Sequence, residues 1–224
     1  MFEMLQASTW GRALTEDQLE RVACEAREQQ VPAGGYAAHA GTVVDHWSGV
    51  IEGLLKMSVT APDGRVTTLA GVNGEGWYGE GSLLKREPRR YDVIALRPSR
   101  LVQVPQSTFE WLRHHSLPFN HYLQHLMNAR LSLFIGMLQV DRLLSAEERV
   151  AHCLSTLFNT DLYPNPRQHV DLSQQEIGLL SGLSRQRANI VLGVLQERGL
   201  LRIEARGGIT VLDIEGLRRY AAGR

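Results

Sequence analysis

Cysteine is nearly missing from this chain of 224 residues, with only Cys24 and Cys153 far apart along it. Two such residues provide neither a disulfide framework nor a cysteine ligand set, and an iron–sulfur cluster needs a gathering of thiolates that this chain cannot supply. Long apolar runs are absent too. A membrane-spanning helix needs about 18 or more consecutive apolar residues, so none is expected. The opening stretch, MFEMLQASTWGRAL, has no basic segment followed by an apolar core, so no secretory signal is expected. Together these absences point to a reducing, cytoplasmic setting. Net charge is lacking as well, with 24 Lys and Arg against 24 Asp and Glu. Internal repeats and low-complexity tracts are not visible. What is present is a hydrophobic fraction of 43%, enough to build a core and to argue against disorder. The length suits one large domain or two modest ones.

Residues 14–29 read as a helix: Thr15 can cap it with Gln18 three residues on, and Leu14, Leu19, Val22 and Ala23 share a face. From Val31 to Val104 the texture changes to dense glycine and short apolar runs. Ile51, Leu55, Met57 and Val59 fall mostly two apart, and Asp63-Gly64 marks a hairpin turn. Short strands with frequent turns predict a small antiparallel barrel or sandwich. Pro105 opens a helical segment, and a longer helix begins near Pro118 and runs to about Leu144. It carries two apolar stripes. Leu123, Leu126, Leu133, Met137, Val140 and Leu144 form one, interrupted by Arg130; Met127, Leu131, Phe134 and Leu138 form the other. A helix apolar on two sides is sandwiched, either between the β domain and a symmetry mate or inside a monomer. Ser145 with Glu148 starts a further helix to about Phe158, and the YPNP segment at 163–166 is a loop.

The segment 172–212 is the most telling. Ser173 with Glu176 repeats the capping pattern, Gly182 permits a sharp turn, and Ser184 caps a second helix with Arg187 at its third position. On that helix Ala188, Val191, Leu192 and Leu195 cluster on one side. Gln186, Asn189, Ile190, Gly193 and Gln196 cluster on the other, with Arg185 at the exposed N-terminal end. A hairpin with Gly207-Gly208 at its tip follows. Helix, tight turn, helix and hairpin make a winged helix-turn-helix, whose partner is double-stranded DNA. Whole-chain neutrality does not oppose this, because phosphate contacts are local. Residues 183–206 hold five arginines (185, 187, 198, 202 and 206) against Glu197 and Glu204. Arg185 offers a fork to guanine, Gln186 and Asn189 suit adenine, and Ile190 suits a thymine methyl. Ser173, Gln174, Ser184 and Arg187 complete the DNA-facing set, while Arg202 and Arg206 on the wing suit phosphate. The alternative is an ordinary helical hairpin with a solvated face.

A β domain, a long helix and a C-terminal winged helix-turn-helix together resemble the CRP/FNR family of bacterial transcription regulators, and LSQQEIGLLSGLSRQRANIVLGVLQERGLL resembles its recognition motif. The resemblance implies an α+β fold with an N-terminal antiparallel β-roll sensor, cupin-like or cyclic-nucleotide-binding-like, at residues 1–115. A dimerisation helix at 116–144 and a winged helix-turn-helix at 145–224 complete it. It also implies a homodimer, a palindromic operator, contact with RNA polymerase, and base contacts at Arg185, Gln186 and Ile190. The best-known members carry glutamate and arginine at the last two of these positions, so an altered half-site is expected. Members that bind cyclic nucleotide use a Gly-Glu pair for ribose and an Arg-Ser pair for phosphate. Gly79-Glu80 resembles the first; Arg89 matches the arginine of the second, with Arg90 in place of the serine. Phe134 and Ile135 fall where cyclic-AMP-binding members have threonine and serine, so hydrogen-bonding groups are lost and cyclic AMP is disfavoured. The expectation is a degenerate or altered pocket for a small anionic effector of unknown identity. A plain intradomain ion pair among Glu80, Arg89 and Arg90 is the competing reading.

No enzyme is expected. A cupin-type β-barrel enzyme or metal-binding protein is the alternative, but such sites gather several histidines with a carboxylate, and the β segment holds only His39 and His46. His121 and His125 have metal-binding spacing without an evident third ligand. A scaffold whose winged part binds protein is a third reading.

Overall fold

Three capping boxes start helices where the side chains predict them. In the computed structural model, Thr15, Ser145 and Ser173 each accept a bond from the backbone N–H three residues on, and Gln18, Glu148 and Glu176 return it. Each box satisfies two amide donors that a helix start otherwise leaves bare. The structure describes residues 1–143, 145–159, 162, 169–170, 172–205 and 208–223, without the side chains of 137–143. The chain divides into two compact units, one of residues 1–130 with 161–164, the other of residues 131–160 and 165–224.

The first unit opens with α1 (Phe2–Ala7), a 3-10 turn (Gly11–Ala13) and α2 (Glu16–Glu25). Eight strands follow: β1 (Arg27–Val31), β2 (Tyr36–Ala38), β3 (His46–Glu52), β4 (Leu54–Thr60), β5 (Val66–Asn73), β6 (Trp77–Tyr78), β7 (Asp92–Ala95) and β8 (Ser99–Pro105). A short α3 (Glu80–Lys85) sits between β6 and β7, and α4 (Gln106–His115) follows β8. The strands form two four-stranded antiparallel sheets, ordered β1-β8-β3-β6 and β2-β7-β4-β5. The predicted barrel or sandwich is therefore this two-sheet roll. The first strand begins at Arg27, inside the stretch read as helix to residue 29, because α2 ends at Glu25 and Ala26 is already extended.

Strict alternation also fails on β4. Leu55 and Met57 are buried, yet Val59 is 39% exposed and Ser58 is buried. The β4–β5 register shifts between Met57 and Ser58, and that bulge turns the following side chains over. Aromatic packing closes the unit. Trp10, Trp47 and Trp77 meet with ring centroids 4.1–5.3 Å apart, and Phe119 of α5 (Leu117–Leu143) lies 5.6 Å from Trp10 and Trp47. Gly49 makes room for this cluster, since a Cβ there would lie 2.9 Å from the Trp77 ring.

In the second unit the latter part of α5 is followed by α6 (Ala146–Leu157), β9 (His169–Val170), α7 (Gln174–Ser181) and α8 (Arg185–Glu197). The strands β10 (Leu201–Ile203) and β11 (Ile209–Val211) and the helix α9 (Ile214–Ala221) complete it. The predicted wing hairpin is β10–β11, and β9 extends it to a three-stranded sheet. Val150, Leu154, Ile177, Val191, Leu192, Leu195, Leu201 and Leu217 are buried in the core. The loop read at 163–166 lies outside the described residues, as does Leu144.

His152 of α6 lies against Gly136 of α5, where an added Cβ would sit 3.3 Å from the ring, and its Nε2 is buried without a hydrogen-bond partner among the described residues. Burial holds this imidazole below its usual pKa. The neutral ring is the one the fold accommodates, so its stabilising contribution is complete above the unfolded value of about 6.5 and is lost as pH falls from there through the folded value. Thermal melts of the second unit's transition should show a loss of stability below that pH, and His152→Leu should flatten it; an equal loss in both proteins would count against His152.

Candidate nucleic-acid interface and ligand pocket

α7 and α8 are joined by a turn built on two glycines. Gly182 caps α7 in the left-handed region at φ 68, where a side chain is strained. Gly178 lets the chain fold back: a Cβ there would sit 2.8 Å from the Leu183 carbonyl, and Leu183 N–H donates to Gly178 O at 2.8 Å. Gly178 lies inside α7, and its role in the turn shows only in the fold. Ser184 Oγ then accepts from the Arg187 N–H at 3.2 Å and starts α8. Ala188, Val191, Leu192 and Leu195 are buried as the helical wheel predicts. Arg185, Gln186, Arg187 and Asn189 are exposed, and Ile190 is 58% exposed, an unfavourable place for isoleucine in water. Ser173 is exposed and Gln174 half-buried at the start of α7.

Two members of the outward and wing sets have local partners. Gln196 Oε1 accepts from the Ile203 N–H at 2.8 Å, so this side chain ties α8 to β10 rather than facing outward unattached. Arg202 Nε donates to Glu204 Oε1 at 3.0 Å. The Thr210 hydroxyl, and then Arg202, hold the Glu204 carboxyl below its usual pKa. Arg206 and Gly207 lie outside the described residues.

In the first unit, Gly79 takes φ 100 at the start of α3, and a Cβ there would meet Arg89 Nη2 at 3.3 Å. Glu80 and Arg89 are each 3% exposed. Glu80 Oε1 receives Arg130 Nε at 2.5 Å, and Arg130 also donates to the Trp77 carbonyl. In the sequence Arg130 is a break in an apolar stripe; a cation there is explained by a buried carboxylate that the sequence does not place. The guanidinium of Arg89 lies 5.6 Å from the Tyr78 ring centroid and 5.5 Å from that of Tyr91, within cation–π range. Its Nη1 has no hydrogen-bond partner among the described residues. Burial pushes the Tyr78 phenol up to about 12, and burial also raises Tyr91 and Tyr122. All three therefore stay neutral near pH 7. The buried set carries one carboxylate and two guanidinium groups, a surplus suited to an anion. Arg90, by contrast, is exposed and donates to Glu87 at 3.1 Å. Phe134 is 37% exposed and belongs to the second unit.

The histidines do not converge. His39 stacks on Tyr36 at 4.2 Å, while His46 bonds Asp45 and Gln103 at 2.5 and 2.9 Å. His121 and His125 are exposed on α5. Among the described residues no group of three or more His, Cys, Asp or Glu is placed to hold a metal, and no helix is long and apolar enough to cross a membrane.

Comparison with known proteins bears on both sites. A family model described as "Cyclic nucleotide-binding domain" matches residues 28–116, and one described as "Crp-like helix-turn-helix domain" matches residues 148–220. The chain is 28% identical to the transcriptional regulator SdrP of Thermus thermophilus, over 78% of this chain and 83% of that protein. It is also 28% identical to a CRP-like cAMP-activated global transcriptional regulator of Mycobacterium tuberculosis, over 77% and 78% of the two chains. The fold matches that of FixK2 from Bradyrhizobium japonicum with a TM-score of 0.68 and 20% identity, over 87% of this chain and 96% of that one. With a roll matched to the one domain and a glycine-turned helix pair matched to the other, the chain belongs to the CRP/FNR family of transcription regulators.

Proposed function

We propose that this regulator binds as a homodimer to a palindromic operator, and that its pocket takes a small anion other than cyclic AMP. The observation that carries the dimer is exposed apolar surface on α5: Met127, Leu131 and Phe134 of the second stripe are 47%, 57% and 37% exposed, and Ile135, next to Phe134 in the chain, is 51% exposed. Burying side chains of this size is worth about 1.5–3 kcal/mol each when complete, and a second copy of the helix offers the matching surface. Two recognition helices then read half-sites about 34 Å apart. Family membership extends the partners to RNA polymerase.

The anion reading rests on Arg89, a buried cation whose Nη1 has no hydrogen-bond partner among the described residues. A relative is cAMP-activated by name. Here the residue beside the buried arginine is Arg90, turned to solvent and engaged by Glu87. A serine hydroxyl is thereby missing from the phosphate cradle that the family's cyclic-nucleotide binders use.

Selection of bound duplexes from a random pool should return a two-fold symmetric sequence, with a dimer in sedimentation; an asymmetric site bound by a monomer overturns the first half. Thermal-shift titration should give a saturable shift with one of a panel of small organic anions, abolished in Arg89→Gln, and none with cyclic AMP. A cyclic AMP shift that Arg89→Gln removes overturns the second half.

A further inference from the structure

The arginines whose side chains the structure describes in the second unit fall into two groups. Arg202 pairs with Glu204 at 3.0 Å, Arg218 with Glu215 at 2.6 Å and Arg219 with Asp213 at 3.7 Å, while Arg198 lies 4.8 Å over the Tyr220 ring. Arg149, Arg185 and Arg187 have no side-chain hydrogen bond, ion pair or ring contact among the described residues. The last two start the recognition helix. Arg149 does not belong to the helix-turn-helix: it lies in the first turn of α6, and the nearby acids are already engaged. Glu148 closes the capping box on Ser145, and Glu147 Oε2 accepts the Tyr220 hydroxyl at 2.8 Å.

The Arg149 guanidinium reaches the turn between α7 and α8. A Cβ built on Gly182 would lie 2.8 Å from its Nη2, so this group rests over the turn two residues before Ser184. Arg149 is half-buried, and its guanidinium over Gly182 has no counter-charge among the described residues. A cation held over a surface with no counter-charge is costly unless something anionic arrives. All three unpaired arginines border the same turn.

We propose that Arg149 is a DNA-backbone contact supplied from outside the helix-turn-helix, clamping the phosphate beside the entry of α8 into the groove. The inference rests on the DNA-reading face described above. A phosphate contact positions the protein without reading sequence, so its loss weakens binding to every duplex alike. Neutralising one phosphate sets a salt slope of about 0.9 in log K against log salt.

The test is the operator affinity of the full chain between 50 and 200 mM salt, for wild type, Arg149→Gln and Arg149→Met, with thermal melts alongside. Methionine keeps an apolar stem over Gly182 and removes the charge. The expected result is a slope shallower by about 0.9 per half-site engaged, or roughly a threefold to fourfold smaller loss of affinity per half-site over that salt range. Base preference should stay unchanged, and Arg149→Lys should keep the wild-type slope. Methylphosphonate replacement of single operator phosphates should reveal one position per half-site that matters to the wild type, independent of how the variants fold. An unchanged slope in a variant that melts like wild type, or no such phosphate, overturns the inference. Arg185→Ala separates the two readings. If it abolishes selective binding while Arg149→Gln changes nothing, only the clamp is wrong; if Arg185→Ala also changes nothing, the DNA-reading face itself is wrong.

Discussion

Arg185→Ala is expected to lower affinity for the selected operator by about 2–6 kcal/mol, at roughly 1–3 kcal/mol for each of two bidentate guanine contacts. That is a loss of roughly 30-fold or more. The reason lies in where the residue stands: it is the first residue of α8, exposed, and bound to no carboxylate among the described residues. No internal bond has to break before it meets a base. Competition binding with the operator and with variants at each base pair reads the effect, which should fall on one position of each half-site. Gln186→Glu should act differently. It exchanges an adenine partner for an acceptor that suits cytosine N4, so the preferred base should change while overall affinity changes little. A uniform weakening across all sequences in both variants would mean that α8 touches phosphate and not bases.

Glu80→Gln should destabilise the first unit by about 3–5 kcal/mol, the usual cost of removing one partner from a buried ion pair. Glu80 and Arg130 have 4% and 14% of their side chains exposed, so water screens the pair little. Arg89, itself 3% exposed, adds positive charge nearby, so deleting the carboxylate leaves a buried surplus of cations with nothing to offset it. The double variant Glu80→Leu with Arg130→Met should cost less than the sum of the single changes, because contacting residues are not additive. Denaturant titrations of the full chain, followed by tryptophan fluorescence from the Trp10, Trp47 and Trp77 cluster, measure both quantities. A cost below about 1 kcal/mol, the range of exposed pairs, would show that the pair is solvated.

Local chemistry made much of this molecule legible in advance. Ser, Thr and Glu at capping spacing signal helix starts because the bonds they make are three residues long, and all three boxes form. The buried face of α8 follows from the 3.6-residue period alone. The strand pattern was less reliable. The bulge after Met57 depends on how β4 meets β5, and no local signal reports a register shift between strands.

The pocket marks the same boundary. Gly79, Glu80, Arg89 and Arg90 stand out as residues, but the sequence does not say that Arg89 turns inward while Arg90 turns out to Glu87. Nor does it say that Arg130, 50 residues beyond Glu80, completes the ion pair. Trp10, Trp47 and Trp77 are far apart in the chain until β3, β6 and the N-terminal segment bring them within 5.3 Å of one another.

Sequence alone determined the three boxed helix starts, the helix–turn–helix–hairpin order of the C-terminal segment and the inward and outward faces of the recognition helix, because propensity, capping and periodicity act within a few residues. Tertiary structure alone decided which charges are neutralised and which stay unpaired. Charge pairing depends on distances across the fold, and these arise only once β6, α3 and α5 surround Glu80 and once α6 lays Arg149 over the turn at Gly182.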